Sequence, residues 1–517
     1  MNRAAATGLF ALLALAPSIW LAWLHRDVPA LIRLHDSGVY FGSAKTLAEG
    51  DGYRIASLPG QPAQTKYPPL YPLYLSIAWL LNPSFPENLP LAALLSWLWV
   101  PALGIAAWMT YRRFHLPHSH ALLLAGAVVL NPVVVLLGPA LVSELMFTTL
   151  LLAALWMAER GSGSLRWAVA AAILGGLAYL TRSAALPLLV SAPLVYLAAR
   201  RYRQAAAFFL AMLPFLIGWK LWTARNQLVS TDPALIYYTD YIALLLRGLV
   251  WEDLPLIVWK NLGELLRSCG RFIVFNGAAH GPAVFLSQVL GIFCIAGAIR
   301  LIRATGVLHY GAYAAISLPM LLAWVYPPEE RLVAPLFPLL YAGFYAEARH
   351  IFHLLRTNLS TRTGRALGGA AIAVFLWWNV YVIDLRYLPD LEEGERAILE
   401  DSKATYRWIA ANLPPDARLL SDQDPAIYLY TGRAAMRPDL PTRYLYRDEL
   451  DAFAARSFAL DEFAREHNLG YLMITPMDIQ LRPEHRREIL RRIKENTNFG
   501  LLFDAPAAKL YKVEVQP

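Results

Sequence analysis

Apolar runs able to cross roughly 30 Å of hydrocarbon recur along the chain as far as Ile383, separated mostly by short polar loops. They predict membrane-spanning helices at Ala4–Leu24, Leu89–Tyr111, His120–Leu137, Ala140–Ala158, Trp167–Leu180, Ala184–Ala199, Ala205–Thr223, Val284–Ile302, Leu308–Val325, Leu332–Ala348 and Ala366–Ile383. The first run could serve as a signal peptide, but it continues through Trp20 and Trp23 without an evident cleavage site. Two longer polar loops interrupt the series, at 25–88 and 224–283. Each contains a stretch that reads as a helix lying along the membrane surface. In Leu256–Phe275, Lys260, Asn261, Glu264, Arg267, Ser268 and Arg271 recur at helical spacing on an apolar background. Leu70–Leu81 is aromatic, proline-led and too short to span.

After residue 384 the pattern changes. Lys403–Asn412 predicts an amphipathic helix stopped by Pro414 and Pro415, Arg418–Ser421 a strand, Asp448–His467 a helix and Tyr471–Thr475 a second strand. A helix over Pro483–Asn496 and strands around Leu501 and Tyr511 close the chain. The expected architecture is therefore a polytopic α-helical membrane region of about eleven helices over 1–384, followed by a soluble α/β domain over 385–517. That domain reads as an acceptor-positioning or structural cap.

Composition agrees with the pattern: 57% of the 517 residues are hydrophobic and only 16% charged, which excludes an ordinary soluble domain. The 46 Lys and Arg against 38 Asp and Glu do not form a nucleic-acid-binding patch. Arg112, Arg113, Arg160, Arg166, Arg200, Arg201, Arg203, Arg300, Arg303, Arg349, Arg356, Arg362 and Arg365 fall in alternate loops, which the positive-inside rule makes cytoplasmic. The loops 25–88 and 224–283 and the C-terminal tail then lie outside. Cys269 and Cys294 suggest neither a disulfide framework nor a metal site.

The opposite set of loops carries few cations, and its charges sit where apolar spans end. Asp36 and Lys66 lie in the first loop, Glu144 in PALVSELMF, Arg182 in YLTRSAALP, and Glu330 and Arg331 in YPPEERLVAPLFP. Charges beside apolar spans are expensive and mark function. A carboxylate among cations suits attack of a hydroxyl on a sugar whose leaving group is a lipid phosphate, the carboxylate taking the proton and the cations the phosphate charge. Simpler roles compete: Asp36 as a helix cap, Lys66 as a snorkelling lysine, and Arg182 or Arg331 as a structural ion pair with Glu144 or Glu330.

A first loop with an early Asp, then KYPPLYP before the next span, then Ser-Glu, Thr-Arg and Glu-Arg at later outer ends, resembles the GT-C superfamily. Within it, the pattern is most similar to bacterial relatives of protein O-mannosyltransferases and of the lipid A aminoarabinose transferase. The resemblance implies inverting transfer from a polyprenyl-phosphate sugar in a bacterial inner membrane, to an acceptor glycan, lipid or protein outside. It implies Asp36 as catalytic base and Lys66 as the phosphate ligand, with Tyr67, Glu144, Arg182, Glu330 and Arg331 as candidate substrate-binding residues. Many members have two adjacent acids in the first loop. Here Asp36 stands between His35 and Ser37, which favours a metal-independent route over a divalent metal; no other cofactor is implied. The alternatives are a transporter or flippase for a lipid-linked or anionic solute, or a non-catalytic assembly subunit. The absence of a repeated half with midplane charges favours the enzyme.

Overall fold

The computed structural model describes residues 3–514 except 29, 32, 241–242, 245–249, 278–279, 356–360, 439–445, 448, 450–459, 476–482, 497 and 507. A helix stands at each predicted span. Some are broken where the chain requires it. Asn131 ends one helix and caps the next, its side chain accepting from Val133 N–H with Pro132 at the first helical position. Among the described residues five helices are long and apolar enough to cross a membrane by length and composition. Their outer faces show why a membrane is needed: Leu13 (63% exposed), Ile105 (62%), Leu210 (63%) and Phe285 (69%) project away from the protein. This is a multi-pass membrane protein.

The spans pack through small residues. Gly270 lies against the backbone of Ser287, and Gly297 against that of Gly343, so the helix Pro282–Thr305 is held backbone-close to Leu254–Arg271 on one side and Phe337–Leu355 on the other. The helix Leu254–Arg271 turns much of its polar stripe inward. Asn261 is fully buried, donating to the carbonyls of Leu322 (3.0 Å) and Trp324 (2.8 Å), while Trp259 is 73% exposed.

The last span runs from Thr361–Phe375 through a π-helical turn at Leu376–Tyr387 into Leu388–Asn412, so no loop marks residue 385. Beyond it lies a five-stranded sheet: β1 (Arg418–Leu420), β2 (Ala434–Met436), β3 (Tyr471–Ile474), β4 (Phe499–Asp504) and β5 (Lys509–Val513), in the order β2-β1-β3-β5-β4. β1 pairs in parallel with β2 and β3, whereas β5 pairs antiparallel with β3 and β4. The strands expected at Arg418, Tyr471, Leu501 and Tyr511 are present. The helix Asp424–Thr431 and strand β2 were not foreseen, because they are short and carry little periodicity. Of the helix expected over Asp448–His467, the structure shows Leu460–Glu466; residues 448 and 450–459 lie outside the described residues, as does Arg356 among the loop cations.

The sheet does not stand apart. Ile55 and Leu58 of the first loop share a core with Ala234 and Tyr238 of the helix Pro233–Thr239 and with Leu420, Met436 and Leu472 of the sheet. Ala435 N–H of edge strand β2 donates to Ser57 O at 2.8 Å. Gly38 meets Pro425 so closely that a Cβ would collide with it, which lets the first-loop helix His35–Glu49 lie against Asp424–Thr431.

Candidate active site

Three chain segments distant in sequence bring the predicted charges together. Asp36 occupies the first turn of His35–Glu49, Glu144 the first turn of Glu144–Gly161, and Arg331 the short helix Glu330–Val333. The Arg331 guanidinium joins the two carboxylates: Nη2 lies 3.0 Å from Asp36 Oδ2 and 2.7 Å from Glu144 Oε1, and Nε donates to the same Glu144 oxygen at 2.8 Å. Arg182, where the helix Leu165–Thr181 ends, adds its Nη1 to Glu144 at 3.0 Å and to Ser143 Oγ at 3.1 Å. Glu144 is 1% exposed while Asp36 keeps a 21% exposed side chain. The buried acid thus anchors the guanidinium pair, and Asp36 is the more accessible of the two.

Asp36 does not cap its helix, since the start at Leu34 has no side-chain cap; its other oxygen, Oδ1, accepts from the Tyr67 hydroxyl at 2.6 Å. Tyr67, a candidate substrate-binding residue from sequence, therefore donates a hydrogen bond to the acid. Burial would raise the Asp36 carboxyl, but Arg331, Lys66, the Tyr67 hydroxyl and Arg182 together hold it well below the usual carboxylate range. It is therefore ionised.

Lys66 is held on a shaped turn rather than snorkelling. Gln64 Oε1 accepts the backbone N–H groups of Lys66 (3.0 Å) and Tyr67 (3.2 Å), and the Tyr53 hydroxyl donates to the Tyr67 carbonyl at 2.8 Å. Lys66 is 6% exposed, its Nζ 3.8 Å from the centre of the Tyr237 ring. Burial lowers its ammonium to about 7, Asp36 and Asp424 opposing the shift and Arg437 adding to it. Glu330 is the exception among the predicted residues. It turns away from the cluster to pair with Arg271 at 2.6 Å, because Arg331, next to it in a short helix, takes the inward direction.

Beside the Lys66 turn lies an apolar cavity of about 550 Å³ lined by Tyr53, Pro69, Leu180, Pro214, Phe215, Gly218, Trp219 and Trp222. Its helix Tyr202–Asn226 exposes Ile217 and Leu221, so the cavity borders the hydrocarbon side. On the other side of Lys66 lie residues that sequence reasoning missed: His35 Nε2 contacts Asp424 Oδ1 at 2.7 Å, Ser57 donates to Asp424 Oδ2 at 3.0 Å, and Arg437 pairs with Asp422 at 3.3 Å. Asp422, Asp424 and Arg437 sit in the tail, where no apolar span flags a charge as costly. The only available hint was their clustering after β1.

The bridging position between Asp36 and Glu144 that a divalent ion would need is taken by a guanidinium. Among the described residues no group of three or more His, Cys, Asp or Glu side chains could hold a metal. The donor set does not fit a resident metal.

The arrangement of spans, first loop and trailing sheet matches known structures. The crystal structure of ArnT from Cupriavidus metallidurans bound to undecaprenyl phosphate superposes with a TM-score of 0.58 at 15% identity, covering 98% of both chains. The likeness is one of fold: this chain folds as that protein does over nearly its whole length. The Archaeoglobus fulgidus oligosaccharyltransferase, in its complex with Zn and sulfate, matches with a TM-score of 0.54 at 14% identity over 90% of this chain and 68% of its own. The sequence itself matches no family model and none of the curated proteins.

Proposed function

We propose that this GT-C chain is a glycosyltransferase that moves a sugar from a polyprenyl-phosphate donor to an acceptor hydroxyl at the outer face of a bacterial inner membrane, with inversion. The observation that carries the reading is the junction at Lys66: an apolar cavity on one side and the Asp36 carboxylate cluster on the other. A lipid-linked phosphate needs that combination, a chain in hydrocarbon and a head beside fixed cations. One structural neighbour, ArnT from Cupriavidus metallidurans, is bound to undecaprenyl phosphate, which supports the same donor class here.

In this mechanism the acceptor oxygen attacks the anomeric carbon as the bond to phosphate oxygen breaks. Asp36 takes the acceptor proton, and the polyprenyl phosphate leaves with the bonding electrons. Lys66 stabilises the departing phosphate. Arg331, shared between Asp36 and Glu144, can lean toward the developing charge, and each step away from Asp36 makes that carboxylate a better base. Arg182 holds Glu144 in place through their ion pair. The soluble domain lies outside with the first loop. The test is transfer of labelled sugar from synthetic short-chain polyprenyl-phosphate hexoses and pentoses to a mixed membrane extract. Transfer by purified protein supports the reading; no transfer from any donor by folded protein removes it.

Two further expectations follow from the same geometry. Lys66 loses its proton as pH rises through about 7, and a bound phosphodiester raises that value. Donor affinity is then full below neutrality and falls by up to about tenfold per pH unit above it, until the bound lysine itself titrates. The donor KM measured between about pH 6 and about pH 9 reports this, and Lys66→Arg flattens it; a flat wild-type profile removes Lys66 from the phosphate. Gly218 faces open space in the cavity wall. Gly218→Leu should raise KM several-fold for a long-chain donor and little for a very short one, and equal effects on both would take the lipid chain out of this cavity.

A further inference from the structure

Arg437 follows directly on edge strand β2, which is bonded to the first loop through Ala435 and Ser57. That docking carries it to the Lys66 neighbourhood. Its backbone N–H donates to the Tyr238 hydroxyl at 3.1 Å, its Nη1 to the Tyr237 hydroxyl at 3.2 Å, and its Nε faces Asp422 at 3.3 Å. Its guanidinium carbon is 5.0 Å from the centre of the Tyr237 ring, the ring that also carries the Lys66 ammonium at 3.8 Å. Two cations from opposite ends of the chain therefore share one aromatic ring, in a place where both are largely buried. Like charges gathered out of water repel, and such an arrangement is retained where an anion is to be bound.

The neighbouring carboxylates have other attachments. Asp424 is held by His35 and Ser57, and Asp36 by Arg331 and Tyr67. Asp422 takes only the Nε edge of Arg437, and among the described residues no hydrogen bond occupies its Nη2. Tyr67, adjacent to Lys66, touches Asp36, so the base and the two-cation ring are joined through consecutive residues of KYPPLYP.

We propose that Arg437 is a donor-binding residue: with Lys66 across Tyr237 it forms a two-cation clamp for the lipid-linked phosphate, and the C-terminal sheet is thereby part of the donor site. The inference rests on the polyprenyl-phosphate reading above and adds to it. The tail is then no passive cap, because a donor arriving from the membrane meets a complete phosphate site only when β2 is docked on the first loop.

The test compares binding of farnesyl phosphate and of farnesol, the same chain without the anion, to purified full-length protein in detergent. Wild type is expected to favour the phosphate. Arg437→Gln is expected to lose at least about tenfold in farnesyl phosphate affinity, the scale of a lost charge-assisted hydrogen bond, with farnesol binding unchanged. Arg437→Lys, which keeps the charge but not the fork, should recover part of the preference. It also serves as the second variant where the Gln protein is unstable. Unchanged phosphate affinity in folded Arg437→Gln overturns the clamp while wild-type binding preserves the donor reading. Equal loss for phosphate and alcohol makes Arg437 a structural tie and also overturns it. A wild type that does not prefer the phosphate removes the donor reading, and the clamp with it.

Discussion

Asp36→Asn lowers sugar transfer by roughly 10²–10⁴-fold, the usual contribution of a positioned general base, while donor binding stays close to wild type. The amide keeps the size of the side chain and can still accept from Tyr67, but it cannot take the acceptor proton. Arg331, deprived of one carboxylate, keeps Glu144 at 2.7 Å, so the cation stays in the pocket. Rates from a labelled donor, measured beside direct donor binding, check both halves. Retained turnover would show that another group accepts the proton; loss of binding and rate together would make Asp36 a structural partner of Arg331.

Glu144→Ala should be the most destabilising single change in the site. Its carboxylate is 1% exposed and accepts from both Arg182 and Arg331. Removing it leaves two guanidinium groups short of a counter-charge beside an apolar helix. Breaking a buried pair from one side costs about 3–5 kcal/mol; the arginines keep 18% and 27% exposure, which places the expected loss near the lower end. Thermal unfolding in detergent reads it as a clear fall in Tm. Glu330→Ala, which breaks a pair whose members are both partly exposed, should cost much less. An unshifted Tm in Glu144→Ala would mean the arginines find other partners and that Glu144 does not hold the site together.

The membrane region was legible because apolar runs are dictated by the solvent they must face: the helices at Arg3–Leu24, Tyr202–Asn226 and Pro282–Thr305 lie within a few residues of their predicted bounds. The charges were legible for the converse reason, since Asp36, Glu144, Arg182 and Arg331 stand where a charge is costly. Their partnership was not. Asp36 taken alone read better as a cap, and Glu330 looked as suitable as Glu144, because adjacent residues in a short helix point in different directions and the pattern does not say which faces inward.

By itself, then, the sequence determined that the chain lives in a membrane, which ends of its spans carry charge, and that an α/β tail follows. Those are properties of local runs, and transfer from water to hydrocarbon sets them residue by residue. Only the tertiary structure decided that one guanidinium joins Asp36 to Glu144, that Glu330 leaves for Arg271, and that β2 docks on the first loop to carry Arg437 onto the ring holding Lys66. Such contacts depend on directions and close approaches between distant segments, Gly38 against Pro425 among them, and no local pattern encodes a distance across the fold.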